Sequence, residues 1–434
     1  MQSLFKPEYQ TARPGGASSI VPPAPRTPEE CGLPFLFLVE LLVKVLFVRG
    51  QTGLPELAYV VRLAPSVVDT VTAFMRAEKL CEAVRRGRSN TDADLVYTLT
   101  DNGRARGAEY MGRSAYAGPA PVSLSDYSAR VTMQKVAQMG VVRNDVVAAF
   151  ASLVISPAVT EQLGAAMNSG RAIFIHGPSG SGKTYLAERL ADLLTGDILV
   201  PHAVLVDGEV IQVNDPAIHK PSSAPDMAAQ SDTRWVRCKR PAVLTGGELT
   251  LEALDLRFDA ASRYYQAPPH LKANNGVFII DDLGRQRCSP AELMNRWIVP
   301  LDRKMDFLSL HTGHKFVVPF DVMVVFSSNF TPQTLADDAF LRRLGYKIHV
   351  GEQSQQSYAR IFRNECERQG VPWSADAFHY LLHEKHGKLA QPLLACYPRD
   401  LIAQVCDLAR YECLDPVLSE RALDWAWNNY FVGG

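Results

Sequence analysis

Read as a pattern of apolar and polar positions, the chain opens with nothing that can bury a core. Residues 1–30 are rich in Pro, Gly, Ala and Ser, as in Arg13-Pro14-Gly15-Gly16 and Val21-Pro22-Pro23-Ala24-Pro25, and predict a flexible tail. From Cys31 the pattern tightens. Residues 35–49 read as a buried helix, 54–63 as a second helix entered through Gly53, and 65–80 as a third. Two strand-like runs, 81–86 and 95–100, flank the turn-rich loop Gly87-Arg88-Ser89-Asn90-Thr91-Asp92-Ala93-Asp94. Thr100 then offers an N-cap for a helix through Met111. Ala117-Gly118-Pro119-Ala120-Pro121-Val122 reads as a stiff linker, followed by helical segments over 127–168.

The second half changes period. Ala172-Ile173-Phe174-Ile175-His176 has the length and β-branched content of a buried parallel strand, and Leu186, Leu190, Leu193 and Leu194 recur beyond it at helical spacing. Residues 276–280 and 322–327 are two more apolar strands. Between them lies a helix over 290–303, opened by Ser289-Pro290-Ala291-Glu292, a capping box with Pro at the first helical position. Residues 307–318 read as a hairpin turning at Thr312-Gly313. The long stretch 195–276 holds a second hairpin over 204–213, turning at Asp207-Gly208, and a strand over 242–245 before Gly246-Gly247-Glu248. Residues 352–434 are mainly helical in pattern. The fold class expected is α/β.

At 434 residues the chain is too long for one core, so two or three domains are expected. Its 47% hydrophobic and 21% charged residues are those of a soluble globular protein. A net charge of −1 gives no global basic field, so any nucleic-acid contact needs a local patch. The 8 cysteines include no C-x-x-C pair, and Cys406 and Cys413 do not match a zinc spacing, which favours reduced thiols in a cytoplasmic protein. The best candidate membrane span, 35–48, is short of the about 20 apolar residues needed and carries Glu40 and Lys44, spaced to pair on one helix face.

The chemistry concentrates in Gly177-Pro178-Ser179-Gly180-Ser181-Gly182-Lys183-Thr184, a full G-x-x-x-x-G-K-[ST] match between strand and helix. Glycines let backbone N–H groups turn around a polyphosphate, and the helix start adds partial positive charge. Lys183 supplies a point charge for the β- and γ-phosphates, and the Thr184 hydroxyl joins a Mg²⁺ shell. The strand over 276–280 ends in Asp281-Asp282, a Walker B pattern. Asp281 is placed to hold Mg²⁺, directly or through water, and Asp282 to orient or deprotonate the attacking water.

In this order, P-loop, Walker B, helix, hairpin, apolar strand, the chain resembles an AAA+ ATPase of the pre-sensor-1 β-hairpin group, the branch that includes MoxR-like proteins. The resemblance covers about residues 146–426. It implies that Asn329 is sensor 1, helping to position water. It implies that Phe340-Leu341-Arg342-Arg343-Leu344 carries an arginine finger reaching a neighbouring subunit's γ-phosphate. Arg343 is preferred because it precedes the apolar residue, with Arg342 in reserve. Arg399, in Tyr397-Pro398-Arg399-Asp400-Leu401, matches sensor 2, and 153–157 an adenine lining. Arg263-Tyr264-Tyr265 lies where such rings place a pore loop, although packing of an inserted subdomain is favoured. One departure stands out: the family's Asp-Glu is here Asp281-Asp282, one methylene shorter. Because a misplacement of about 1 Å costs roughly a hundredfold, a modest ATPase is expected.

The amino-terminal pattern resembles a winged helix-turn-helix, with Tyr97-Thr98-Leu99-Thr100-Asp101-Asn102-Gly103-Arg104 similar to the wing-to-helix step of bacterial regulators. Two readings stand. One puts the third helix in a DNA major groove, with Arg85, Arg86 and Arg88 on phosphates. The other is a protein-interaction module, favoured because the helix offers base edges Ser66, Thr70 and Thr72 and no early cation. The domains implied are a tail (1–30), a winged-helix domain (31–117), linker helices (118–145), an AAA+ nucleotide-binding domain (146–351) and a helical lid (352–434). The resemblance implies ATP and Mg²⁺ as cofactors and a homo-oligomeric ring, a hexamer favoured. The expected function is ATP-driven remodelling or assembly of a protein client. The alternatives are a winged-helix DNA-binding regulator or DNA-remodelling ATPase, and a nucleotide-gated scaffold with little turnover.

Overall fold

The computed structural model describes residues 21–85, 95–222, 230–335 and 337–431. The nucleotide core is a five-stranded parallel sheet, ordered Ala242–Thr245, Val277–Ile280, Met323–Ser328, Ala172–His176, Leu344–His349. Near-continuous apolar strands are what a sheet covered on both faces requires. Alternation sorts them: Ile173, Ile175, Ile279 and Val325 face one layer, while Phe174, Phe278, Phe326 and Trp297 fill the other. The helix Pro290–Arg303 begins with the expected capping box at Ser289 and Glu292. A helical lid follows, built from Gln355–Gln369, Ala375–Tyr380, Tyr397–Glu412 and Glu420–Tyr430 around Tyr358, Phe362, Leu401 and Trp427. The fold is therefore the expected α/β one, a P-loop parallel-sheet core with a helical lid.

The amino-terminal elements also follow the expected order: helices Phe35–Arg49, Leu54–Val61 and Pro65–Ala77, strands Cys81–Arg85 and Leu95–Leu99, and helix Asp101–Arg113. Thr100 caps the last, its Oγ1 accepting from the Gly103 amide at 3.1 Å. Lys44 is fully buried and pairs with Glu40 at 3.1 Å; burial lowers its pKa and Glu40 opposes that. Among the described residues, no single helix is long and apolar enough to cross a membrane. Arg86 and Arg88, named for phosphate contact, lie outside the described residues, as does the Arg85 side chain. Thr72 cannot read a base edge, because it is fully buried and its hydroxyl donates to the Asp69 carbonyl at 3.0 Å. In the first turn of the same helix the Ser66 hydroxyl, though exposed, is engaged by the Arg26 carbonyl, to which it donates at 2.8 Å.

Two expectations about chain organisation need correction. Residues 21–30 are not free tail: the Ala24 amide bonds the Gln230 carbonyl, and the Asp232 amide the Pro22 carbonyl, both at 2.8 Å. Nor is Ala117–Val122 a spacer. Ala120 is fully buried, its amide donates to the Val61 carbonyl at 2.7 Å, and Val122–Ser123 pairs in parallel with Val204 and Leu205. The physical reason is a buried ion pair. Arg234 and Asp232 are 5% and 3% exposed and pair at 2.9 Å. The remaining guanidinium protons go to the Cys31 and Pro121 carbonyls at 2.8 and 3.2 Å. A buried charge needs all its partners, and these partners come from both ends of the amino-terminal module.

Apart from Ala242–Thr245, which belongs to the core sheet, the described residues of 195–267 build a β-subdomain. Ala203–Val206 and Glu209–Gln212 turn through Asp207 and Gly208 at φ 48° and 81°, the positive pair that a two-residue hairpin prefers. Tyr264–Gln266 joins this sheet: Tyr265, 1% exposed, packs the subdomain core, and Tyr264 meets Tyr116 of the amino-terminal module edge-on at 5.3 Å, so both aromatics pack instead of lining a pore loop. The later hairpin, Met305–Ser309 with Lys315–Pro319, docks on the same core through Leu308, Leu310, Phe316 and Val318. At its tip His311 bonds the Tyr265 hydroxyl through both ring and amide. At its base, burial works to raise the Asp306 pKa, but His270 and Arg296 hold the carboxyl down to about 2.

Candidate functional site

The P-loop lies at the carboxyl end of Ala172–His176, where a parallel sheet presents ligand-binding loops. Gly182 has φ 95° and nothing within 4 Å of the position a Cβ would take, leaving an open face above the loop. Gly180 is fixed by the opposite condition. A Cβ there would stand 2.4 Å from the Cys396 Sγ, and its carbonyl accepts from the Cys396 amide at 3.1 Å. The lid thus rests directly on the loop.

Two linked side-chain contacts build the site. The Thr184 hydroxyl donates to Asp281 Oδ2 at 2.8 Å. Lys183, 5% exposed, donates from Nζ to the Pro178 carbonyl and to Asn329 Oδ1, both at 2.8 Å. Asn329 in turn donates from Nδ2 to Asp282 Oδ1 at 3.2 Å. The adjacent strands Val277–Ile280 and Met323–Ser328 end side by side and bring Asp282 and Asn329 together. Burial lowers the Lys183 pKa, with Asp282 and then Asp281 opposing. Nearby, burial, His349 and Lys183 all push the His176 pKa down, favouring a neutral ring beside the loop.

The donor set fits a nucleotide–metal complex on an observation in the site itself. Asp281 Oδ1 and Ser181 Oγ are buried and have no hydrogen-bond partner among the described residues. A carboxylate oxygen left over beside the Thr184 hydroxyl is what a Mg²⁺ ion and its water shell would take up. Among the described residues no group of three His, Cys, Asp or Glu side chains forms another metal cluster. The eight cysteines are unpaired, with Cys31, Cys81, Cys238 and Cys366 buried.

The arginines divide. Arg342 and Arg343 stand at the opposite end of the sheet from their own P-loop, because Leu344 pairs with Ala172 and His349 with His176. A strand of five residues separates the two ends, roughly 17 Å. There Arg342, Arg343, Arg171 and Asp302 line a cleft of about 490 Å³. Arg343 donates to Asp302 at 2.7 Å, and Arg171 donates to the Arg342 carbonyl at 2.7 Å. Arg399 sits in the first turn of Tyr397–Glu412, one turn from Cys396. Its side chain is 67% exposed and pairs with Asp400 at 2.8 Å without touching the loop. Leu153 and Ile155 pack at the edge of the layer beneath the P-loop helix.

Sequence reasoning missed two residues here. Gln286 and Ser328 both hydrogen-bond the turn that follows Asp281. Neither belongs to a spacing motif, and no local signal marks them.

Residues 354–429, within the lid, match a family model described as a domain of unknown function (DUF8689). No curated protein matches the sequence. Among solved structures, NtrX from Brucella abortus in complex with ADP aligns at 16% identity and a TM-score of 0.40, over 62% of this chain and 54% of that one. The same protein in complex with ATP aligns at 16% identity and a TM-score of 0.40, over 64% and 57%. The Thermotoga maritima RuvB Holliday junction branch migration motor aligns at 13% identity and a TM-score of 0.36, over 63% and 68%. The chain thus spans little more than half the length of the NtrX structures, and likenesses this distant say nothing of its activity.

Proposed function

We propose that this chain is an AAA+-type ATP hydrolase that works as a homo-oligomeric ring, hexameric in the favoured form, on a protein partner. The observation that carries the reading is the pair of linked contacts at the sheet's carboxyl edge, Thr184 to Asp281 and Lys183 through Asn329 to Asp282. Bound Mg²⁺ would neutralise phosphate charge from Thr184 and Asp281. Lys183 then meets the β- and γ-phosphates, leaving Pro178 and Asn329. Asn329 and Asp282 hold the attacking water between them, and Asp282 accepts its proton. Asp282→Asn keeps the shape and removes the base. ATP binding by titration calorimetry should stay within about threefold of wild type while turnover falls at least about a hundredfold. Wild-type turnover in that variant would refute the assignment.

The distance of Arg342 and Arg343 from their own loop supports service to a neighbour's γ-phosphate. Arg399, on a lid helix that touches Gly180 through Cys396, is the corresponding cation in cis. Mixing decides the first point. Subunits carrying Arg342→Ala with Arg343→Ala keep a P-loop and lack the finger; Lys183→Ala subunits are the reverse. Each preparation should be inactive alone and the mixture active; a mixture as inactive as its parts would exclude action in trans.

The buried Thr72, and a Ser66 hydroxyl already engaged by the Arg26 carbonyl, favour a protein client over DNA for the amino-terminal domain.

A further inference from the structure

We propose that Gln286 and Ser328 are positioning residues that clamp the turn after Asp281, so that the backbone at Asp282 supplies the reach its short carboxylate lacks. The inference rests on the hydrolase reading of the site.

Asp282 has φ 48°, the left-handed region that non-glycine residues seldom occupy without support. That support comes from two sides. From one, Gln286 Nε2 donates to the Asp281 carbonyl at 2.9 Å and reaches the Gly246 carbonyl at 3.3 Å, while its Oε1 accepts the Gly284 amide at 2.9 Å. From the other, the Ser328 hydroxyl donates to the Leu283 carbonyl at 2.6 Å and accepts the Phe330 amide at 3.1 Å. The Leu283 amide adds a bond to the Ser327 carbonyl at 2.8 Å. Leu283 follows Asp282, and Phe330 follows Asn329. One fully buried hydroxyl therefore fixes the neighbours of both groups that would hold the water.

The consequence is geometric. A residue in the left-handed region turns its Cβ out of the strand's alternation. In this turn the aspartate meets Asn329 at 3.2 Å despite lacking a methylene. A glutamate placed on the same backbone would carry its carboxylate past that point. The shorter acid and the clamped turn are matched, and restoring the longer acid should harm the enzyme.

Steady-state hydrolysis by the full chain, with nucleotide affinity measured in parallel, tests this. Asp282→Glu should lower kcat about tenfold or more, and Ser328→Ala and Gln286→Leu about ten- to a hundredfold, with KM and ATP affinity within about threefold. Ser328→Thr, which keeps the hydroxyl, should recover most of the loss. An Asp282→Glu variant as fast as wild type, or Ser328→Ala within about twofold of it, overturns the proposal. Amide hydrogen exchange over 283–286 and at Phe330 gives a reading that does not depend on turnover. Exchange should be slow in wild type and about tenfold faster in Ser328→Ala; equal rates sink the clamp. Absent wild-type turnover with slow exchange would instead refute the hydrolase reading alone.

Discussion

Lys183→Ala is expected to abolish ATP turnover and to weaken ATP binding by at least about a hundredfold. The lysine is the one cation that lies inside the loop, 5% exposed and bonded at 2.8 Å to both the Pro178 carbonyl and Asn329. Its two acidic neighbours, Asp281 and Asp282, keep the ammonium charged against the pull of burial. Removing it costs the phosphates their point charge in a buried setting, where an ion pair is worth more than in open water. It also leaves Asp282 facing incoming phosphate without the cation that now stands beside it. Titration calorimetry with ATP and Mg²⁺, together with a phosphate-release assay, reads both losses. Affinity within about threefold of wild type would show that Lys183 does not meet the phosphates.

The second large effect concerns stability. Arg234→Met should destabilise the amino-terminal half by about 3–5 kcal/mol, because it leaves Asp232 charged, 3% exposed and unpaired. The substitution also orphans the Cys31 and Pro121 carbonyls that the guanidinium satisfies. Chemical denaturation followed by the nearby Trp235, which is 3% exposed, reports the loss as an earlier transition. A double variant, Arg234→Met with Asp232→Leu, should recover a large part of it, since an apolar pair leaves no stranded charge. A single variant that unfolds at the wild-type midpoint would show the pair to be dispensable.

The parts of this molecule that were legible in its sequence are those whose physics is local. The P-loop, the capping box at Ser289 and the Asp207-Gly208 turn each state their requirement within a few residues. Apolar runs marked four strands of the core sheet for the same reason, while the fifth, Leu344–His349, is broken by Gly345 and Lys347 and was not legible. What stayed hidden depends on partners far along the chain. The hairpin over 307–318 was visible, but its docking was not, because the core it joins, with Val204 and Ile211, lies about a hundred residues away and looks like any strand. Proline and glycine made 117–122 look like a spacer, since composition is blind to Ala120 finding Val61. Gln286 and Ser328 are common residue types whose role arises only where two strands end side by side. The separation of Arg342 and Arg343 from their own P-loop follows from strand pairing, which no motif encodes.

The junction around Arg234 bears on how such a chain can be taken apart or recombined. A cut between residues 117 and 118 would fall inside a shared interior, since Ala120 belongs to the amino-terminal core while Val122 already pairs with the inserted sheet. The unit that could be grafted onto another P-loop core is therefore larger than its helices suggest. It would have to carry residues 21–30, the first domain and the strands that hold Arg234 as one cassette. Evolutionary change on this side of the molecule would then proceed by resurfacing this cassette, with the first domain kept in place instead of exchanged.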